Sequence, residues 1–192
     1  MAFNITRLTT ATPVRNRMYF LDANVWIYAL QYISLPASNP NEQLYVDYFS
    51  DIIDDTIQPR ILMPSVLFSE IVNTYIRQVA LEDFKITSGN RYPNFKRDFR
   101  PTPEYLNAYH SILDDLNSYK SCIQFIDDSN ILNPLPHFLS KDFTKVDFND
   151  KYYYHLLKEL SKTTALTIVT NDGDFQIEDI PILTVNRDLL AL

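Results

Sequence analysis

The stretch Met18-Tyr19-Phe20-Leu21-Asp22-Ala23-Asn24-Val25-Trp26 decides the fold. Four residues of unbroken apolar character followed at once by an acid read as a buried strand that stops at Asp22, and residues 24–33 continue as a helix. The same arrangement recurs near the C-terminus, where Leu166-Thr-Ile-Val-Thr-Asn runs into Asp172. Between them, residues 40–57 carry Leu44, Tyr45, Tyr48, Phe49, Ile52 and Ile53 at helical spacing. Residues 60–63 form a short strand, and Pro64 opens a helix running to about residue 79, with a stripe of Phe68, Ile71, Val72, Tyr75, Ile76 and Val79. A helix over 102–120, a strand over 122–126, a proline-broken connection over 133–138, a helix over 148–162 and strands over 166–170 and 182–185 complete the alternation. Strands separated by helices of ten or more residues imply right-handed crossovers. The expected fold class is α/β, a three-layer α/β/α sandwich on a mostly parallel sheet of four to five strands.

Composition narrows what such a fold can do. The 192 residues suit one domain, and 46% hydrophobic with 14% aromatic content can fill a core. Two glycines, Gly89 and Gly173, beside eleven prolines exclude both GxGxxG and GxxxxGK[ST] phosphate loops. The lone Cys122 excludes an internal disulfide and fits a reducing, cytoplasmic setting. No apolar run reaches the ~20 residues needed to span a bilayer. Residues 1–17 read as an irregular lead-in, with Arg7, Arg15 and Arg17 giving it a faint likeness to a transit peptide. Residues 18–192 read as a single domain. Within it, residues 82–101 read as an insertion or long loop, holding Gly89, Pro93 and the basic and aromatic residues Arg91, Tyr92, Phe95, Lys96, Arg97, Phe99 and Arg100. The net charge of −7 argues against binding nucleic acid by bulk electrostatics alone, unless metal offsets a concentrated negative site.

Carboxylates at strand ends are candidates for chemistry, and each has a plainer reading. Asp22 or Asn24 can cap the helix that follows. Asp150 can favour the N-terminus of its helix, although it shares a face with Tyr153 and Leu157, where a carboxylate needs a partner. Asp172 and Asp174 stand in Asn-Asp-Gly-Asp, which is ordinary turn chemistry at the end of a buried strand. Glu70 lies off its helix's apolar stripe, and periodicity assigns it nothing. His110, His137 and His155 have no metal-ligand spacing, and Ser65 and Ser69 lack a nucleophile elbow.

Taken together, Phe20-Leu-Asp-Ala-Asn-Val-Trp, Pro64-Ser-Val-Leu-Phe-Ser-Glu-Ile-Val-Asn, Asp147-Phe-Asn-Asp-Lys-Tyr-Tyr and Ile168-Val-Thr-Asn-Asp-Gly-Asp-Phe resemble, in order and context, the PIN domain family of metal-dependent nucleases. The resemblance covers residue 18 to the C-terminus, with 82–146 poorly matched. It implies a Mg²⁺ or Mn²⁺ pocket built from Asp22, Glu70, Asp150 and Asp172, supported by Asn24 and Thr170, with Asp174 as a fifth acid. It further implies an RNA substrate, cut to leave 5′-phosphate and 3′-hydroxyl ends. Among family members the architecture is most similar to the VapC-type toxin ribonucleases, which implies an antitoxin partner protein and leaves room for a homodimer. Arg91, Lys96, Arg97 and Arg100 are the candidate RNA contacts, with Phe95 or Phe99 stacking on bases, although a surface loop that packs its aromatics inward is the plainer reading of this segment. Two other readings compete: a non-catalytic PIN module that binds RNA or a protein, and a haloacid-dehalogenase-type phosphatase. The second needs an acid where Asn24 stands.

Overall fold

Met18–Leu21 forms one of the two central strands of a six-stranded, all-parallel sheet in the computed structural model, which describes residues 3–32, 36–37, 39–54, 60–127, 148–173 and 175–192. The strands are β1 (Ile5–Arg7), β2 (Met18–Leu21), β3 (Arg60–Pro64), β4 (Ile123–Ile126), β5 (Leu166–Val169) and β6 (Ile182–Thr184), in spatial order β1-β6-β5-β2-β3-β4. The principal helices are α1 (Ala23–Tyr32), α2 (Pro40–Ile53), α3 (Ser65–Thr74), α4 (Leu81–Ser88), α5 (Pro103–Ser118), α6 (Phe148–Ser161) and the short α7 (Arg187–Leu190). Helices flank the sheet as in a three-layer α/β/α sandwich. The connection expected over 133–138 lies outside the described residues, as do Asp147, His137 and Asp174.

The strand order fixes where a site can form. From β2 the chain steps outward to β3 and then β4, then returns across the sheet to β5 on the other side of β2 and continues outward to β6. Right-handed crossovers in opposite directions place their helices on opposite faces. The neighbours β2 and β5 are therefore a topological switch point, and crevices open outside the carboxyl ends of such strands. Their register pairs Leu21 with Val169, so the next residues, Asp22 and Thr170, emerge side by side. Asp22 N–H donates to Val169 O at 3.0 Å and extends the ladder by one bond.

Both faces of the central strands are covered, as the unbroken apolar runs require. Tyr19, Phe20 and Leu21 are buried in β2, and all four residues of β5 are buried. The ring of Phe20 clusters with those of Tyr153, at 5.0 Å, and Phe175, at 5.8 Å. On α1, Trp26 packs edge-on to Phe49 at 5.2 Å.

Two sequence expectations change. The sheet has six strands rather than four to five, and it is parallel throughout. The sixth strand comes from the presumed lead-in: Ile5, Thr6 and Arg7 pair with Ile182, Leu183 and Thr184. A three-residue edge strand with one apolar side chain carries no readable alternation. Leu8, buried just after it, fastens the segment to the core.

The segment 82–101 is not one long loop. The α3 helix passes through a π-turn (Tyr75–Ala80) into α4, which ends at Gly89 in the left-handed conformation (φ 69°) that glycine adopts without strain. The π-turn rotates the apolar stripe out of phase, which hides the continuation from a 3.6-residue reading. A second π-turn (Phe95–Phe99) follows, and Phe99 is fully buried in a satellite core with Ile76 and Ala80, against Phe84 and Tyr105. Phe99 is thus packing rather than a platform for bases.

Candidate active site

Asp22 is the centre of the crevice at the β2–β5 switch point. Its backbone carbonyl accepts from Val25 and Trp26, starting α1, so part of the capping reading holds. Its carboxylate does more. Oδ1 accepts the Ala23 N–H at 2.7 Å, and Oδ2 accepts Asn24 Nδ2 at 2.7 Å and the Thr170 hydroxyl at 2.8 Å. Only 6% of the residue is exposed. Burial pushes the Asp22 carboxyl up to about 6; the bonds from Thr170 and Ala23 oppose this, and the charges of Glu70 and Asp172 push further upward.

Asn24 and Thr170 tie the two strand ends together. Asn24 donates to Asp22 and accepts the Asn171 N–H at 3.3 Å. The fully buried Thr170 hydroxyl donates to Asp22 and accepts the Asp172 N–H at 2.9 Å. A set of hydrogen bonds that the sequence did not reveal holds the loop after β5. Tyr45 of α2 donates to Thr170 O at 2.9 Å and accepts the Val185 N–H at 3.0 Å. Asn171 Nδ2 donates to the Tyr28 hydroxyl at 3.0 Å, and Asn186 Nδ2 donates to Asn171 O at 2.7 Å. In the sequence Tyr45 was one more apolar position of a helix stripe; only the fold shows where its hydroxyl ends. Tyr45→Phe leaves the part-buried Val185 N–H without this acceptor and the buried Thr170 O without this donor, and is expected to lower stability by about 1–3 kcal/mol, measured by urea unfolding.

Glu70 comes from α3, which begins directly after β3. Its Oε2 accepts the Tyr153 hydroxyl at 2.6 Å and Asn149 Nδ2 at 2.9 Å, both from the first turns of α6. These two partners were also missed as site residues. Asp150, three residues before Tyr153, shares that helix face. Burial foremost, and then the Glu70 bond, raises the Tyr153 phenol above its ordinary range, so it stays a donor at all working pH values.

Asp22, Glu70, Asp150 and Asp172 line one cavity of about 240 Å³, with Asn24, Tyr28, Thr74 and Gln78 among the other walls. The fold thus brings together the three aspartates that sequence placed at separate element ends and Glu70, to which periodicity assigned nothing. Asp174 lies outside the described residues. His155 and the basic residues Arg91, Lys96, Arg97 and Arg100 do not line this cavity, and those four basic residues are exposed.

The donor chemistry of the cavity is all oxygen, without His or Cys among its described walls, which suits Mg²⁺ or Mn²⁺ rather than zinc. Among the described residues no group of three or more His, Cys, Asp or Glu side chains is arranged to hold one ion. Magnesium takes one or two carboxylates and keeps several waters, a mode that does not need such a group.

Comparison with known proteins returns no match: no family model matches the chain, and neither a curated protein nor a solved structure is significantly similar to it.

Proposed function

We propose that the protein is a metal-dependent endoribonuclease of the PIN type, with Asp22, Glu70, Asp150 and Asp172 as its catalytic acids. The observation that carries this reading is the meeting of all four acids in one cavity at the sheet's switch point. The desolvated carboxylate of Asp22, pushed upward by two like charges, supports it: such a group gains by a nearby cation. Asp22, Asp150 and Asp172 would hold Mg²⁺ or Mn²⁺, directly or through water. A bound divalent ion supplies neutralising charge and activates water for attack on phosphorus. Thr170, Asn24 and the Ala23 amide fix the direction of the Asp22 carboxylate. Tyr153 and Asn149 fix Glu70, which would orient the attacking water and accept its proton. The phosphatase reading loses ground on geometry as well as residue type, because Asn24 is engaged on both sides as a bridge between Asp22 and Asn171.

The test is cleavage of a panel of defined RNAs with Mg²⁺, with Mn²⁺ and with chelator. Cleavage that requires the ion and leaves 5′-phosphate ends supports the reading. RNA binding without cleavage would favour the non-catalytic module instead. The toxin role, its antitoxin partner and a cytoplasmic location rest on the family resemblance. Among the described residues no helix is long and apolar enough to cross a membrane.

The exposed Arg91, Lys96 and Arg100, beside Tyr92 at 91% exposure, are the proposed backbone contacts. Arg97 is held by Asp98 through two bonds of 2.7 and 3.1 Å, so part of its charge is already answered. The Arg77 guanidinium lies 4.5 Å from the centre of the Phe95 ring, which anchors this segment one residue from Gln78 in the cavity wall. Replacing Lys96, Arg97 and Arg100 together with alanine is expected to weaken RNA binding and flatten the log–log salt slope by up to about 2, less if Arg97 stays with Asp98. Fluorescence anisotropy across a salt series measures both; an unchanged slope removes this segment from the RNA path.

A further inference from the structure

A second cavity, of about 440 Å³, adjoins the acidic one and shares Glu70 and Thr74 with it. Its principal wall is the helix face of Ser65, Ser69 and Asn73, spaced four residues apart on α3. Glu70 and Thr74, one turn apart on α3, line both cavities and form the ridge between them. Asn149 of α6 contributes to the lining as well.

The chemistry of these walls differs from that of the acidic pocket. Apart from Glu70 at the ridge, the lining among the described residues is hydroxyl, amide and one Val, with no Lys, Arg or His. An uncharged, hydrogen-bonding ligand would find groups that both donate and accept. The volume falls within the range of small-ligand sites. Asn73 is oriented by its own bonds, Nδ2 donating to Ser69 O at 2.8 Å and to Ser69 Oγ at 3.3 Å, so this wall presents a fixed pattern.

We propose that this cavity receives the base and ribose of a nucleotide flanking the scissile phosphate, and that Ser69 and Asn73 set a base preference at that position. The inference rests on the ribonuclease reading. Asn149 links the two events: it lines the nucleotide cavity and donates to Glu70. A nucleotide seated there touches a group that orients the acid.

The test has two arms. In the first, adenosine, guanosine, cytidine and uridine are titrated separately into the chelator-treated protein and followed by amide NMR. At least one should shift the Ser65, Ser69, Asn73 and Asn149 signals. Ser69→Trp, which fills the space, should abolish the effect. Asn73→Leu, a second variant should the first fail to fold, should weaken binding about fivefold, the loss of roughly one neutral hydrogen bond. In the second arm, cleavage of a randomised-sequence RNA should show a base bias at one position beside the cut, reduced in both variants. Nucleoside binding in a protein that cuts no RNA leaves a nucleoside-binding cavity but overturns its role beside a scissile phosphate together with the ribonuclease reading. Metal-dependent cleavage with no nucleoside-induced shifts and the same base bias in both variants overturns the subsite and leaves the ribonuclease reading standing.

Discussion

Replacing Asp22 with asparagine is expected to lower Mg²⁺-dependent RNA cleavage by on the order of 10³-fold, while leaving the protein at least as stable at neutral pH. The loss follows from removing the buried negative charge at the centre of the acidic cavity, where, under the proposed function, an ion and the water it activates would act. The retained stability follows from the same burial. The displacement of the Asp22 carboxyl from 3.8 to about 6 corresponds to about 3 kcal/mol of cost for its charged form in the folded state. An asparagine avoids that cost. It keeps an acceptor for the Ala23 N–H, Thr170 can reverse its hydroxyl, and the clash with the Asn24 amide costs about one hydrogen bond, ~1 kcal/mol.

The sign of the pH dependence follows. A folded-state value above the unfolded one means that the folded protein holds this proton more tightly. Its stabilising contribution is present in full below about pH 4 and is lost as pH rises to about 6. Asp22→Asn should therefore gain most over wild type at pH 7–8 in chelator and lose that advantage near pH 4.5, as followed by thermal unfolding. Mg²⁺ should stabilise wild type increasingly above pH 6 and the variant little. At subsaturating Mg²⁺, wild-type cleavage should fall about tenfold for each pH unit below 6, because a proton must leave Asp22 before the ion binds, and raising Mg²⁺ should move that fall to lower pH. A variant that cuts as fast as wild type, in preparations free of contaminating nuclease, is incompatible with Asp22 as a catalytic acid.

Phe20→Ala is expected to cost about 3–5 kcal/mol in stability. Phe20 is fully buried at the middle of the sheet, with Tyr153 against one part of its ring and Phe175 against another. Tyr153 is also the donor that holds Glu70, and Phe20 stands two residues before Asp22. The cavity left by the ring therefore loosens both sides of the acidic pocket. Urea unfolding measures the first effect. Cleavage under conditions where the variant is still folded measures the second, with an expected loss beyond the unfolded fraction. A cost below about 1 kcal/mol would mean that the core does not depend on this aromatic stack.

What could be read from the sequence follows the strength of each physical signal. Strands β2, β3 and β5 were legible because burial on both faces leaves unbroken apolar runs, and their alternation with helices fixed a parallel α/β sheet. Strand β1 was not, because Ile5–Arg7 pairs mainly through its backbone and has little apolar surface to bury. The continuation of α3 into α4 was obscured by the π-turn, which shifts the phase by which helices are recognised. In the candidate site, Asp22, Asp150 and Asp172 stood out by position at element ends. Glu70 did not, since its partners Tyr153 and Asn149 lie about 80 residues further on. Tyr45 was hidden for the opposite reason: its ring fits the apolar stripe, and only its hydroxyl reaches Thr170 and Val185.

The most direct test of the acidic pocket is an anomalous difference map from a crystal soaked in Mn²⁺, collected for wild type and for Asp22→Asn. The expected result is a peak in the cavity bounded by Asp22, Asp150 and Asp172, held by one or two carboxylates and water, and absent in the variant. Manganese bound only elsewhere, or the same peak in both proteins, would contradict the assignment of this cavity as the metal centre.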